Sequence, residues 1–258
     1  MTLASGAWIA PEAHIPASAK VFPTAWVGPA VTLGEGVVVG PGAVLGYGAA
    51  AEPLRIGAGS SIGPHVYVAP GAEIGEECAI GMGTAVLDGV RIGSRARIGI
   101  RCTLMEHCRI GDSVFLASEV YVCEHAELQP HCQIFPRVIL LNMPYPPTVL
   151  GVTAPVIGEC AIICVNAVIW PGVKVGYHAM VAGSSEVKNN VADYMLVRGC
   201  PATPICDVRQ IRAKIEDEWV FPYPWMRQLI PGEDITQPAT PPRRAKTVLR
   251  KDGEGDRA

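Results

Sequence analysis

Residues 56–104 read IGAGSSIGPHVYVAPGAEIGEECAIGMGTAVLDGVRIGSRARIGIRCTL, with an aliphatic residue at every sixth position. The series begins at Ile56 and continues without a break to Leu140, which makes fifteen positions at constant spacing. An amphipathic helix repeats its apolar residues every three or four positions, and a half-buried strand repeats them every two. A period of six therefore predicts a chain that forms a short strand, turns, and forms another strand.

Two further positions of this six-residue repeat are restricted. Glycine commonly follows the aliphatic residue, and we expect it there to supply corner backbone angles that other residues resist. Examples are Gly57, Gly63, Gly75, Gly81, Gly93 and Gly99. The fifth position is usually small, and we expect it to point inward beside the aliphatic side chain. Examples are Ser60, Cys78, Ala96, Cys102, Cys108 and Cys132.

The pattern resembles the repeat [LIV]-[GAED]-x-x-[STAV]-x of hexapeptide-repeat proteins, over about residues 7–203. The resemblance implies an all-β solenoid, a left-handed parallel β-helix in which three repeats form one triangular coil. Residues three repeats apart then stack on the same face. The left-handed winding would be an exception to the usual right-handed crossover.

Breaks in the repeat define the predicted domain organisation. Residues 1–203 form the β-helix, with loops near 49–53 and 142–155, the second of which has three prolines within residues 142–148. Residues 204–237 form a C-terminal helix and an aromatic arm, because Val208, Ile211, Ile215 and Trp219 have helical spacing. Such a helix would cap the open end of the solenoid. Residues 238–258, rich in Pro, Arg and Lys, form a disordered tail.

Composition excludes several classes of protein. The net charge of −3 gives no basic surface for nucleic acid. No long apolar run predicts a membrane span, and residues 1–11 lack the pattern of a secretory signal. The nine cysteines include no CxxC pair. We therefore expect a reduced, cytoplasmic protein.

One face of the predicted prism differs from the other two, because it carries acidic and imidazole side chains in register. Glu106 stacks beneath Glu124, and His107 beneath His125, with Asn142 above them at the second loop. An imidazole titrates near neutral pH and can take a proton from an amine or a hydroxyl, while a carboxylate orients it. We interpret His125 as the general base, with His107 in a lesser role. Glu124 or Glu106 would orient His125, and Asn142 would hold the substrate or a thioester carbonyl. Solvated corner residues or subunit contacts would explain the two histidines equally well.

The same face has lost its corner glycines. Its corner positions are Ala69, Leu87, Met105, Cys123 and Leu141. An altered face on a triangular column can be buried against copies of itself, and threefold closure suits this shape. The sequence therefore predicts a homotrimer.

The last coils resemble the ending of coenzyme-A-dependent hexapeptide acyltransferases. The matching stretch, residues 172–205, reads GVKVGYHAMVAGSSEVKNNVADYMLVRGCPATPI. The resemblance implies that Ala182, Gly183 and Ser184 present backbone to the pantetheine arm, that Lys188 contacts a phosphate, and that Pro201 lies near the adenine.

This stretch departs from the family pattern at two positions. Asn189 replaces an acidic residue, and Thr203 replaces a frequent lysine. These departures weaken the details of phosphate recognition more than the class of enzyme.

The resemblance implies an enzyme that moves an acetyl or other acyl group from acyl-CoA to an amino or hydroxyl group. The segment Val138–Pro144 resembles the one before the loop in nucleotide-sugar N-acyltransferases, which favours a sugar or nucleotide sugar as acceptor. A non-catalytic trimeric scaffold is one alternative. A metal enzyme like the γ-class carbonic anhydrases is another, but His125 and His131 are one repeat apart and depart from the family's His-x-x-x-x-His pair. We therefore expect no metal.

Overall fold

The structure is a computed structural model that describes residues 6–48, 52–144, 153–211, 213–215 and 218–220. The chain divides into two compact units, one up to Val208 and one from Arg209. In the first unit, short strands follow one another at nearly constant intervals. They are β1 (Trp8–Ile9), β2 (Lys20–Val21), β3 (Trp26–Val27), β4 (Val31–Leu33), β5 (Val38–Val39), β6 (Val44–Leu45), β7 (Leu54–Ile56), β8 (Ser61–Ile62), β9 (Tyr67–Val68), β10 (Glu73–Ile74), β11 (Ala79–Ile80), β12 (Ala85–Val86), β13 (Arg91–Ile92), β14 (Arg97–Ile98), β15 (Thr103–Leu104), β16 (Arg109–Ile110), β17 (Phe115–Leu116), β18 (Tyr121–Val122), β19 (Glu127–Leu128), β20 (Gln133–Ile134), β21 (Ile139–Leu140), β22 (Val156–Ile157), β23 (Ile162–Ile163), β24 (Val168–Ile169), β25 (Lys174–Val175), β26 (Met180–Val181), β27 (Glu186–Val187), β28 (Met195–Gly199) and β29 (Ala202–Asp207).

These strands form three sheets, and each full coil gives one strand to each sheet in turn. The first sheet has the order β1-β3-β6-β9-β12-β15-β18-β21-β24-β27, and the second runs from β4 to β25. The third sheet runs from β2 to β29. Within the unbroken coils every strand pairs in parallel with the strand one full coil away, as Ile74 does with Ile92. This register confirms the parallel β-solenoid, while its left-handed winding stays a prediction.

The core is a single column of inward side chains. The aliphatic positions are buried, and Leu104, Leu116 and Leu140 are completely covered. The small fifth positions are buried beside them, Cys102 and Cys132 included, as predicted. Burial raises the pKa of the Cys132 thiol far above its ordinary value, so this cysteine serves as a small apolar residue.

The corner glycines are needed for a reason other than the one that the sequence suggested. A Cβ on Gly81 would lie 2.5 Å from the carbonyl carbon of Gly99, in the next coil. Close approach of neighbouring coils therefore excludes a side chain there. Left-handed backbone angles fall two residues later, at the fourth position of the repeat, where Gly89 has a φ of 63° and His107 a φ of 57°.

The predicted C-terminal helix over 205–220 is wrong. Strand β29 instead folds back antiparallel to β28, with Leu196 opposite Cys206 and Arg198 opposite Thr203. A 3-10 turn follows at Val208–Gln210. Backbone pairing explains the outcome, because β28 is the last parallel strand of the third sheet and its free edge would be left without partners. Helical spacing of apolar residues did not decide the structure here.

The second unit contains an antiparallel pair, β30 (Ala213–Ile215) and β31 (Glu218–Val220). The predicted aromatic arm, from residue 221 onward, and the predicted tail over 238–258 lie outside the described residues. Of the helices that the structure describes, none is long and apolar enough to cross a membrane.

Both predicted loops interrupt the same edge of the solenoid. The first lies between β6 and β7, and the second between β21 and β22. Each therefore replaces a turn that leads from the first sheet to the second. We call this edge the first corner. Residues 49–51 and 145–152 of these loops are outside the described part of the chain.

Candidate functional site

The segment of the first corner between the two loops carries the predicted catalytic residues. Its turns are at 69–72, 87–90, 105–108 and 123–126. Coils in a parallel solenoid are roughly 4.8 Å apart. His107 and His125 therefore lie on adjacent coils, and Asn142 lies on the next one, at the base of the second loop.

The two histidine rings are stacked, as the coil register predicted. Their centroids are 5.3 Å apart and the ring planes differ by 16°. Both side chains are exposed. Gly89, one coil below, makes this arrangement possible, because a Cβ at that position would lie only 2.2 Å from Nδ1 of His107. The two imidazoles thus face each other from adjacent coils, and both are exposed to solvent.

An open groove of about 620 Å³ runs along this corner, from Tyr47 beside the first loop to His107 and Arg109. Asp88 and Glu106 also line it. A second hollow adjoins it and is lined by His107, Arg109, His125 and Glu127. Arg109 and Glu127 come from neighbouring strands of the second sheet, where they are in register. His107 and Arg109 therefore line both hollows, which adjoin each other, whereas His125 lines the second hollow alone.

Glu106 has one carboxylate oxygen that is buried and without a hydrogen-bond partner in the described part of the chain. Burial, together with the nearby Cys123, Glu124 and Glu106, raises the pKa of the Tyr121 hydroxyl. Glu106 and Glu124 thus both lie near Tyr121, at the first corner. A buried acceptor without a donor is costly, so the Glu106 carboxylate is not fully satisfied by the described part of the chain.

Asn142 begins the second loop. Its carbonyl oxygen accepts a hydrogen bond from the backbone N–H of Thr153 at 3.0 Å, and the Thr153 carbonyl accepts one from Gly172 at 2.8 Å. The loop therefore leaves and rejoins the corner within one coil. This anchoring holds Asn142 directly above the turn that carries Glu124 and His125.

The bulky corner positions that suggested a trimer are partly covered by the chain itself. Ala69 and Cys123 are buried, whereas Leu87, Met105 and Leu141 are half-buried. The three half-buried side chains form an apolar line beside the histidine column.

Lys188 lies on the same first corner, three coils beyond His125, which corresponds to roughly 14 Å. Its ammonium is 3.2 Å from a carboxylate oxygen of Glu186 and 4.3 Å from the ring centre of Trp170. The Trp170 indole N–H donates to the same Glu186 oxygen at 2.8 Å. Lys188 is thus held in place, with 41% of its side chain exposed.

Pro201 joins this cluster through its neighbour Cys200, whose thiol donates to Glu186 at 2.9 Å. The Cys200–Pro201 peptide bond is cis. Hydrogen bonds from Cys200, Lys188 and Trp170 hold the pKa of the Glu186 carboxyl below its ordinary value. The structure therefore brings Lys188 and the Pro201 turn together around Glu186.

Ala182, Gly183 and Ser184 occupy a different corner, the turn that leads from β26 in the third sheet to β27 in the first. Ser184 has a φ of 55°, and both Gly183 and Ser184 are exposed. These residues lie at the opposite edge of the first sheet from Lys188, so the short strand β27 separates the two parts of the predicted coenzyme site.

Several residues of these sites were not singled out from the sequence. Arg109 and Glu127 are one coil apart on outward strand positions, and Trp170 comes one coil before Lys188. Counting three repeats per coil, which brought the two histidines together, would also have placed these residues next to each other. It was not applied to the outward strand positions. Glu186 and Cys200 carry no such signal, because the β28–β29 turn that joins them departs from the repeat.

In the part of the chain that the structure describes, no group of three or more His, Cys, Asp or Glu side chains is arranged to hold a metal ion.

One protein-family model matches a part of the repeat. Residues 53–88 match the family model described as bacterial transferase hexapeptide (six repeats). No curated protein sequence is significantly similar to the chain. The matched residues thus include Tyr67, Pro70 and Asp88, which line the groove.

Solved structures with a similar fold include two sugar-nucleotide acyltransferases. The UDP-N-acetylglucosamine O-acyltransferase of Moraxella catarrhalis is 22% identical, with 76% of this chain and 73% of that chain covered and a TM-score of 0.49. The UDP-N-acetylglucosamine acyltransferase of Campylobacter jejuni is 20% identical, with 80% and 75% covered and a TM-score of 0.48. A variant of perosamine N-acetyltransferase from Caulobacter crescentus, solved with CoA and GDP-perosamine, is 21% identical, with 78% and 57% covered and a TM-score of 0.28.

Proposed function

We propose that this chain, which carries the hexapeptide repeats of bacterial transferases, moves an acyl group from acyl-CoA to an amino or hydroxyl group of a sugar or nucleotide sugar. The observation that supports this most strongly is the stacked His107–His125 pair: His107 lines the open groove, and both rings line the adjoining hollow with its charged walls. Acyl transfer needs a proton acceptor beside a nucleophile, and an exposed imidazole in such a groove can supply it.

In this proposal His125 is the general base. It takes the proton from the acceptor's amine or hydroxyl while that group attacks the thioester carbonyl. The tetrahedral intermediate then collapses, and the coenzyme A thiolate leaves with the proton returned from His125 or from water. Glu124 or Glu106 orients His125, and Asn142 at the loop base binds the carbonyl oxygen or the acceptor, which fits its place one coil above.

Coenzyme A would lie along the first corner, on the C-terminal side of His125. Lys188, fixed by Glu186 and Trp170, would bind a phosphate as a point charge, and Pro201 would lie near the adenine. Ala182, Gly183 and Ser184 lie on a different corner from Lys188, so they would present backbone to the pantetheine arm only of a coenzyme bound to a neighbouring copy of the chain. The roughly 14 Å between Lys188 and His125 is a distance that an extended pantetheine arm can bridge.

We further propose a homotrimer, in which the apolar line of Leu87, Met105 and Leu141 is covered by a second copy of the chain. These side chains are half-buried in the monomer and lie beside the histidines. A monomer mass by light scattering at micromolar concentration would contradict the trimer without affecting the proposed chemistry.

The experiment that tests the function is a coenzyme A thiol-release screen. Acetyl-CoA and longer acyl-CoA donors are combined with amino sugars and sugar nucleotides, and the acylated product is identified by mass spectrometry. We expect acceptor-dependent thiol release. Release that never depends on the acceptor would contradict the proposal and favour a non-catalytic scaffold.

A further inference from the structure

We propose that the acceptor groove extends beyond a single sugar and binds a short oligosaccharide of amino sugars, held at its far end by an aromatic platform around Tyr47. This inference rests on the proposed function, because it assumes that the histidine pair marks the reacting end. It adds a binding surface that the catalytic proposal does not use.

The aromatic platform consists of Trp8, Trp26 and Tyr47 on the outer side of the first sheet. Trp8 and Trp26 are stacked with ring centres 4.7 Å apart, and Tyr47 meets Trp26 edge to face at 5.3 Å. Half of Trp8 and 63% of Tyr47 are exposed. Aromatic rings so exposed offer flat apolar surface to a ligand.

Tyr47 connects this platform to the groove. It lines the same hollow as His107 and begins the first loop. Its carbonyl oxygen accepts a hydrogen bond from the Tyr67 hydroxyl at 3.3 Å, which ties the loop to the first sheet. The aromatic surface and the polar groove are therefore one continuous surface.

The groove has the chemistry that an amino sugar requires. Glu52, Asp88 and Glu106 supply carboxylates, and two arginines also line the groove. They are Arg109 and Arg91, the second of which is paired with Glu73. Carboxylates accept hydrogen bonds from hydroxyl groups and pair with protonated amines, and such an amine over an aromatic face gains cation–π attraction. Carboxylates beside aromatic rings thus favour an amino sugar over a purely apolar ligand as the occupant of the groove.

The length of the surface favours a chain of sugars. Four coils separate the first-sheet strand beside Tyr47 from the strand before His125, which is roughly 19 Å at the spacing of parallel strands. A monosaccharide bound at the histidines would leave Tyr47 and the platform without contact. An oligosaccharide of several units would reach both.

The test uses glucosamine and its β-1,4-linked oligomers of increasing length, titrated into the full chain without acyl-CoA while tryptophan fluorescence is followed. We expect affinity to rise by about five- to tenfold once the oligomer reaches the platform. Tyr47→Ala should remove that gain without changing the affinity for glucosamine. Phe22→Ala, which truncates an aromatic residue with 46% exposure on another corner, is the matched control and should bind like the parent chain.

The outcomes separate this inference from the proposed function. If thiol release occurs with a monosaccharide but neither affinity nor kcat/KM depends on oligomer length, the oligosaccharide inference is wrong and the enzyme stands. Equal length dependence in the parent and Tyr47→Ala chains would also overturn it. If oligomers bind through Tyr47 but no donor is ever consumed, the binding surface stands and the acyl transfer does not.

Discussion

Replacing Gly89 by alanine should move the His107 ring, and comparison with a matched glycine variant distinguishes this effect from a loss of solenoid stability. A Cβ at this position would lie 2.2 Å from Nδ1 of His107, whereas ordinary van der Waals contact begins at 3.4 Å. The ring must therefore move by about 1.2 Å, and it can do so because a side chain, not backbone, is in the way. This movement disturbs the 5.3 Å stack with His125.

Gly83→Ala is the matched control. Gly83 has a φ of 68°, close to the 63° of Gly89, but a Cβ there would meet only Cγ of Arg101 at 3.5 Å. Alanine in the left-handed region costs about 1–2 kcal/mol at either position, so both variants should lose similar thermal stability. Only Gly89→Ala should also lower kcat, by about ten- to a hundredfold, because misplacement of a catalytic group by about 1 Å has effects of this size.

The assay is acceptor-dependent thiol release at saturating acyl-CoA, with Tm measured in parallel on both variants. Equal kcat for Gly89→Ala and Gly83→Ala would refute the argument. The stacked His107 would then have no part in the reaction, and the glycine would serve only the backbone.

Three further changes test other parts of the structure. Gly81→Ala should destabilise the fold by about 1–3 kcal/mol, seen as a lower Tm than that of Gly83→Ala, because its Cβ would meet the backbone of the next coil at 2.5 Å. Lys188→Ala should weaken coenzyme A binding in calorimetry by about five- to tenfold, with Lys174→Ala unchanged, since the ammonium is partly exposed and shared with Glu186. The lowered pKa of Glu186, due first to Cys200, gives stability that is present above the ordinary carboxyl pKa and lost as pH falls through the folded-state pKa. The Tm advantage of the parent chain over Glu186→Gln should therefore shrink between about pH 6 and pH 3, and a constant difference would show that the ionised carboxylate does not matter.

The regular part of the fold was predictable because one local rule repeats in every coil. The period of six at positions such as Ile74 and Ile92 determines strand, turn and inward direction together, and the register of three repeats per coil then places His107 beneath His125. Counting along the chain is enough wherever the geometry is this regular.

The remainder could not be read from local patterns. The apolar spacing over 205–220 matched a helix, but the free edge of β28 offered backbone partners, and β29 pairs with it. The corner glycines looked like turn residues, yet the clash that requires Gly81 comes from Gly99, in the next coil. Likewise, Glu186 meets Cys200 only because the β28–β29 turn folds back. Each case depends on a neighbour that is distant in sequence.

In the proposed reaction His125 acts as the base of an acyl transfer at the first corner. The most direct test is kcat for acceptor-dependent thiol release in His125→Ala against His65→Ala, with coenzyme A affinity measured on both. His65 is a suitable control, since it is also exposed, has a φ of 54° and lies over Gly42, but on a different corner. We expect His125→Ala to lose about 10²–10⁴ in kcat while its coenzyme A affinity holds and His65→Ala keeps full activity. Nearly full kcat in His125→Ala would show that His125 is not the base.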